Sequence, residues 1–149
     1  MAYSEVSSVK RGPARSLVRE LLRQAKPSDD AIIGAVHRGL PPSVLDELLD
    51  AGLSEEEVAG VIGFSVRTLH RKRGRSARLD VAEGDRAVRL ARTLAEADLY
   101  IGGRGRALRW LRTKNWALGD RTPLELLATE PGLEIVRQAL ATIAYGGVA

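Results

Sequence analysis

Apolar residues recur three and four positions apart from about residue 17 onward, which is the spacing of amphipathic helices. Proline, glycine and capping residues divide this pattern into short segments, and nothing between residues 16 and 51 alternates as a strand does. The longest segment follows Asp80 and runs for about five helical turns. The pattern therefore predicts an all-α fold. Residues 1–15 carry no periodicity and are predicted to form a flexible tail.

A helix-turn-helix is predicted at residues 54–73. Ser54 and Glu57 have the spacing of a capping box, a glycine-containing turn follows, and Ser65 can cap a second helix. In this motif the second helix enters the major groove, where arginine pairs with guanine and flanking cations contact phosphates. The predicted DNA-binding residues are Ser65, Arg67, Thr68, His70, Arg71, Lys72, Arg73 and Arg75.

The charge distribution agrees with this prediction. The net charge is +4 and the pI about 9.8, and the run from Arg67 to Arg78 contains Lys and Arg but no Asp or Glu. A second basic stripe, Arg86, Arg89 and Arg92, lies on the long helix. For this stripe we expect solvation and pairing with nearby acidic residues (Glu83, Asp85 and Glu96) rather than phosphate contact.

Both tryptophans lie in residues 110–129, WLRTKNWALGDRTPLELLAT. A helix is predicted to end near Leu111, a bend follows, and Thr122 is predicted to cap a new helix that begins at Pro123. Large apolar residues in such a bend are expected to be buried in the core or in a dimer interface, because burial stabilises each by about 1.5–3 kcal/mol. The sequence alone does not show which of these residues lie in the core and which in the interface. The residues are Trp110, Leu111, Trp116, Leu118, Leu124 and Leu127.

No catalytic, metal or cofactor site is predicted. The two histidines, His37 and His70, fall in different predicted helices, cysteine is absent, and the carboxylate clusters lie at helix N-termini, where the dipole stabilises them. No apolar run approaches the roughly 18 residues that a membrane span needs. Because cysteine is absent, which suits a reducing compartment, a cytoplasmic protein is expected. Because no catalytic site is predicted, we expect a protein that is not an enzyme.

The order of residues from 110 to 132 resembles the C-terminal domain of the Xre/MbcA/ParS-type antitoxins, the partners of RES-domain toxins. The matching features are WL, Asn, AL-G, R-T-P-L-E-L-L and T-E-x-G in succession. The family often has proline before the asparagine, and here that position is Lys114. The resemblance covers residues 79–149 well and the preceding region loosely. It suggests a tail (1–15), a DNA-binding region (16–78) and a toxin-binding and dimerisation domain (79–149).

The resemblance implies an antitoxin that covers the active site of a RES-domain, NAD-degrading toxin and represses its own operon. Such proteins dimerise mainly through the C-terminal domain and bind operator DNA. The positions that correspond to the family's toxin-contacting end are Tyr145, Gly146, Gly147, Val148 and Ala149. Two alternatives stay open from the residues alone. One is a stand-alone helix-turn-helix regulator or partition protein without a toxin. The other is a protein-binding adaptor that has lost DNA binding.

Overall fold

The computed structural model describes residues 16–146, and this part of the chain is helical and contains no sheet. The predicted all-α fold is confirmed, and the predicted tail, residues 1–15, lies outside the described residues. The helices are α1 (Leu17–Leu22), α2 (Asp29–Arg38), α3 (Ser43–Asp50), α4 (Glu55–Ile62), α5 (Val66–Arg73), α6 (Val81–Ile101), α7 (Arg104–Arg112), α8 (Pro123–Leu126) and α9 (Glu130–Ala144). A 3-10 turn, Trp116–Leu118, separates α7 from α8.

Helix boundaries follow the capping residues in the sequence. Three helices begin with reciprocal capping boxes, formed by the pairs Ser54 and Glu57, Asp80 and Glu83, and Thr122 and Glu125. Each box satisfies two backbone N–H groups that a helix start leaves without partners. At the other end of α4, Gly63 has φ 94°, a left-handed conformation that glycine adopts without steric cost. This glycine produces the tight turn into α5.

One continuous core fills the described part of the chain, and α6 is its central element. Leu90 and Leu94 on α6 are fully buried, and α6 packs against α1, α2, α4, α7 and α9. Leu69 of α5 and Leu140 of α9 belong to the same cluster. The predicted division between residues 78 and 79 therefore falls just before a helix that both parts of the chain share.

Arginine side chains close the C-terminal ends of several helices. The last carbonyls of a helix have no backbone partner, and a guanidinium both donates to them and opposes the negative end of the dipole. The donor–acceptor pairs are Arg104 to Leu22 O (3.0 Å), Arg78 to Gly39 O (2.7 Å), Arg112 to Gly52 O (2.7 Å), Arg86 to Ile62 O (3.0 Å) and Arg89 to Leu127 O (3.1 Å). The charge of these five arginines therefore acts within the fold.

The second basic stripe shows one of its expected ion pairs among the described residues. Arg89 forms an ion pair with Asp85 at 3.1 Å, as predicted, and a further one with Glu130 at 3.0 Å. Arg86 binds a backbone carbonyl instead of an acidic side chain. Glu83, one of the expected partners, accepts from Lys72 of α5 rather than from the stripe.

The apolar residues of the bend divide into buried and exposed groups. Four lie in the core: Leu111, Leu118, Leu124 and Leu127. Trp110 is half-buried, and its indole N–H is buried without a hydrogen-bond partner among the described residues. Trp116 is 84% exposed, so a core role for it is wrong. The 3-10 turn explains this, because residues two apart in such a turn point in different directions and Leu118 takes the inward one.

Candidate functional site

The helix-turn-helix is built from α4, the turn at Gly63 and α5. Leu69 is fully buried and fixes the inner face of α5 against the core. Ser65 caps α5: its hydroxyl accepts the Thr68 N–H at 3.1 Å and donates to the Thr68 hydroxyl at 3.0 Å. The side chains of Ser65 and Thr68 thereby fix the start of α5. The outer face of α5 is formed by later residues of the helix.

Three arginines form the exposed basic face of this motif. Arg67 and Arg71 are four residues apart on α5 and therefore lie on one side of it, and Arg75 follows just after the helix ends. All three are exposed, and none makes an ion pair within residues 16–146. Their guanidinium groups are available to bases or phosphates. We refer to Arg67, Arg71 and Arg75 as the α5 basic face.

Other side chains of the predicted set are engaged within the protein. His70 Nε2 lies 2.6 Å from a carboxylate oxygen of Glu55. Arg73 Nε donates to Asp46 at 2.6 Å, and its Nη1 lies 3.6 Å from Glu55. These contacts join α5 to α3 and α4, so both side chains have a structural function that the sequence did not indicate.

Lys72 is the clearest departure from the sequence-based expectation. Its ammonium lies 3.0 and 3.1 Å from the two carboxylate oxygens of Glu83, and its side chain is only 20% exposed. It also lies 6.0 Å from the centre of the Phe64 ring. Glu83 is the capping-box residue that accepts the Asp80 N–H at 2.9 Å. Lys72 therefore joins α5 to the first turn of α6 and faces away from solvent.

A second ion pair joins the helix-turn-helix to α7. Arg112 Nε and Nη2 donate to the two carboxylate oxygens of Glu57 at 2.7 and 2.8 Å. The hydrogen bond from Arg112, with help from the Ser54 N–H, holds the pKa of Glu57 below its usual value of 4.5, against the opposing effect of burial. Local spacing identifies Glu57 as a capping residue, but nothing local indicates a partner so distant in sequence.

The predicted toxin-contacting end is only partly described. Tyr145 is 91% exposed, and its N–H donates to Ala141 O at 3.0 Å where α9 ends. Gly146 follows with φ 81°. The remaining predicted residues (Gly147, Val148 and Ala149) lie outside the described residues. The described part of this end thus consists of an exposed aromatic side chain at the end of the last helix and the glycine that follows it.

Neither a metal site nor a membrane-spanning helix is found between residues 16 and 146. No group of three His, Asp or Glu side chains there could hold a metal ion. No helix in the same range is long and apolar enough to cross a bilayer.

The helix pair α4 and α5, with its capped starts and basic outer face, assigns this protein to the class of helix-turn-helix proteins. A second helical unit is continuous with this pair. Residues 31–92 match the antitoxin Xre-like helix-turn-helix domain, and residues 95–146 match the antitoxin Xre/MbcA/ParS C-terminal toxin-binding domain. The two matches meet within α6. The chain belongs to the Xre family of antitoxins, which are regulatory, toxin-neutralising proteins and not enzymes.

Curated relatives agree with this assignment. The chain is 30% identical to the antitoxin Xre of Yersinia enterocolitica over 134 residues, which cover 89% of this chain and 90% of the relative. It is 25% identical to the antitoxin Xre of Photorhabdus laumondii over 113 residues, covering 74% and 76% of the two chains. It is also 36% identical to the antitoxin Xre of Pseudomonas putida over 81 residues, about half of each protein.

Proposed function

We propose that this chain neutralises a RES-domain toxin that degrades NAD, and that it represses its own operon as a cytoplasmic homodimer bound to operator DNA. One observation carries the proposal. A single helical core joins the exposed α5 basic face to residues 95–146, which match an antitoxin toxin-binding domain. The RES-type toxin and its NAD chemistry come from the family resemblance, and the DNA-binding role rests on the geometry of α5.

For DNA binding we assign two groups of residues. Arg67, Thr68 and Arg71, with Ser65 at the start of α5, are positioned to meet base edges and nearby phosphates, and Arg75 extends the contact along the backbone. The second group is His70, Lys72 and Arg73, whose contacts with Glu55, Glu83 and Asp46 hold α5 in place. One recognition helix reads only a few base pairs, so two copies related by a twofold axis are needed for a palindromic operator.

For toxin neutralisation we assign the segment 145–149 to the active-site pocket of the toxin. The exposed ring of Tyr145 supports this, because an aromatic side chain with its hydroxyl can fill an apolar pocket and hydrogen-bond within it. Gly146 and Gly147 allow the backbone to approach a partner closely.

Co-expression with the RES-domain protein encoded beside this chain tests the proposal. We expect a stable complex and loss of cellular NAD only when this chain is absent. Deleting residues 146–149 should restore NAD loss without changing the thermal unfolding of the antitoxin. Arg67→Ala combined with Arg71→Ala should abolish repression of an operon reporter and leave NAD protection intact.

Three outcomes would count against the proposal. If no complex forms and NAD is unaffected, the chain is a stand-alone regulator. If the shortened chain still protects NAD, the assigned segment does not block the toxin. If repression survives the double arginine substitution, α5 is not the recognition helix.

A further inference from the structure

Trp116 is a large apolar side chain that the fold leaves in water. It is 84% exposed on the 3-10 turn between α7 and α8, and the neighbouring Leu118 is buried. Burying an indole is worth several times the stabilisation of a small side chain, and surface tryptophans are concentrated in protein interfaces. Trp116 lies within residues 95–146, which match the toxin-binding domain.

The loop that carries Trp116 is held in one conformation by internal hydrogen bonds. The side-chain oxygen of Asn115 accepts the Ala117 N–H at 2.9 Å, and the Asn115 N–H donates to Arg121 O at 3.2 Å. Arg121 Nε donates to Leu118 O at 3.0 Å, which closes the loop from its other end. A partner therefore meets a tryptophan whose backbone is already ordered, and this lowers the entropy lost on binding.

Basic residues flank Trp116. Lys114 lies two residues before it, and Arg121 is joined through its backbone to Asn115. Both are exposed and form no ion pair in the described part of the chain, and Asp120 is the acidic residue of the loop. We refer to Lys114, Trp116 and Arg121 as the Trp116 surface. It combines an apolar anchor with cations that attract an acidic partner.

We propose that the Trp116 surface binds the toxin, at a site where acidic side chains surround an apolar pocket that receives the indole. This assignment rests on the proposed antitoxin function and adds a contact separate from segment 145–149. It also assigns Trp116 to the toxin and not to the homodimer. If Trp116 lay near the twofold axis of a dimer, the basic side chains beside it would face those of the second copy.

Charge and shape together favour a protein partner over duplex DNA. Phosphates would bind the cations of the Trp116 surface. The outer face of a duplex backbone, however, has no apolar pocket that could bury the exposed indole. A protein surface offers both the acidic side chains and the pocket.

The test compares Trp116→Ala with Tyr100→Ala in the full chain. Tyr100 is an exposed aromatic residue at the end of α6 and provides a matched control. The affinity for the purified adjacent RES-domain protein, the molar mass by light scattering and the affinity for operator DNA are measured for both. We expect Trp116→Ala to weaken toxin binding by at least about tenfold, with molar mass, thermal unfolding and DNA affinity unchanged. Tyr100→Ala should leave toxin affinity, molar mass and DNA affinity unchanged.

A charge reversal, Lys114→Glu, provides an independent readout. It should slow association with the toxin at low salt, and the difference from the wild-type chain should shrink as salt rises. Unchanged toxin binding by Trp116→Ala overturns the inference, as does a change to a monomer or a selective loss of DNA binding. If the unaltered chain forms no toxin complex, the proposed function itself fails, and this result is distinct from all the others.

Discussion

Exchanging two adjacent cations of the recognition helix, one at a time, distinguishes phosphate contact from helix positioning. Arg71→Gln and Lys72→Gln each remove one positive charge, one residue apart. Arg71 belongs to the exposed α5 basic face, whereas Lys72 is 20% exposed and bound to Glu83. We predict that both substitutions weaken operator binding but that only Arg71→Gln changes its dependence on salt.

The expected magnitudes follow from these positions. Each phosphate contact contributes about −0.9 to the slope of log K against log salt concentration, so Arg71→Gln should make the slope shallower by about this amount. The Lys72–Glu83 pair is intermediate in exposure. An exposed ion pair contributes about 0.2–1 kcal/mol, and breaking a buried one costs about 3–5 kcal/mol. Lys72→Gln should therefore lower the free energy of unfolding by about 1–2 kcal/mol, which a domain stable by about 5–15 kcal/mol survives.

Fluorescence anisotropy with labelled operator DNA, between about 50 and 200 mM salt, gives both affinity and slope. Glu83→Gln sharpens the comparison, because glutamine retains capping at the start of α6 but weakens the pair with Lys72. If Lys72 positions α5, Glu83→Gln weakens DNA binding. If Lys72 instead contacts phosphate, the same variant releases it and tightens binding, and Lys72→Gln lowers the slope as much as Arg71→Gln does. Either of these last two results would refute the positioning role.

Two further predictions concern the fold. A Cβ at Gly132 would lie 1.9 Å from the Leu126 carbonyl oxygen, so Gly132→Ala should lower the thermal midpoint sharply. At Gly60 a Cβ meets nothing within 4 Å, so Gly60→Ala should raise the midpoint by stabilising α4. Equal effects of the two substitutions would show that the contact at Gly132 is relieved without cost. Because the pKa of Glu57 is lowered by Arg112, the pair stabilises the fold above pH 4.5 and this contribution is lost as pH falls through the lowered value. In urea unfolding, Arg112→Gln should therefore have a lower free energy of unfolding than the wild-type chain, and the difference should narrow on acidification below pH 4.5. A difference that stays constant with pH would contradict this coupling between the ion pair and the pKa of Glu57.

The sequence predicts the helices and their boundaries well, because capping is a local property. Ser54, Asp80 and Thr122 each start a helix with an acidic partner three residues on, and all three capping boxes are present in the structure. Burial within the bend is harder to predict. Trp116 and Leu118 are both large and apolar, and only the geometry of the 3-10 turn decides which one faces the core.

Basic residues of the recognition helix show the same limit. Arg71 and Lys72 are equivalent by composition and nearly so by position, but one is exposed and the other is bound to Glu83. The difference depends on where α6 begins relative to α5. That arrangement is set by packing of α6 in the core, which no spacing within residues 54–73 encodes.

Net charge is therefore a poor guide to how this chain meets its partners. Arg104, Arg86 and Arg89 donate to backbone carbonyls at the ends of α1, α4 and α8, and their charge is used within the fold. In contrast, the cations of the α5 basic face and Lys114 of the Trp116 surface are exposed and form no ion pair within residues 16–146. The first surface lacks an aromatic anchor and lies on a recognition helix, which suits the uniform charge of a phosphate backbone. The second surrounds an exposed indole, which suits a pocket in a folded protein. An antitoxin that binds both DNA and a toxin needs two such surfaces, and the one core that joins them holds each in a fixed orientation.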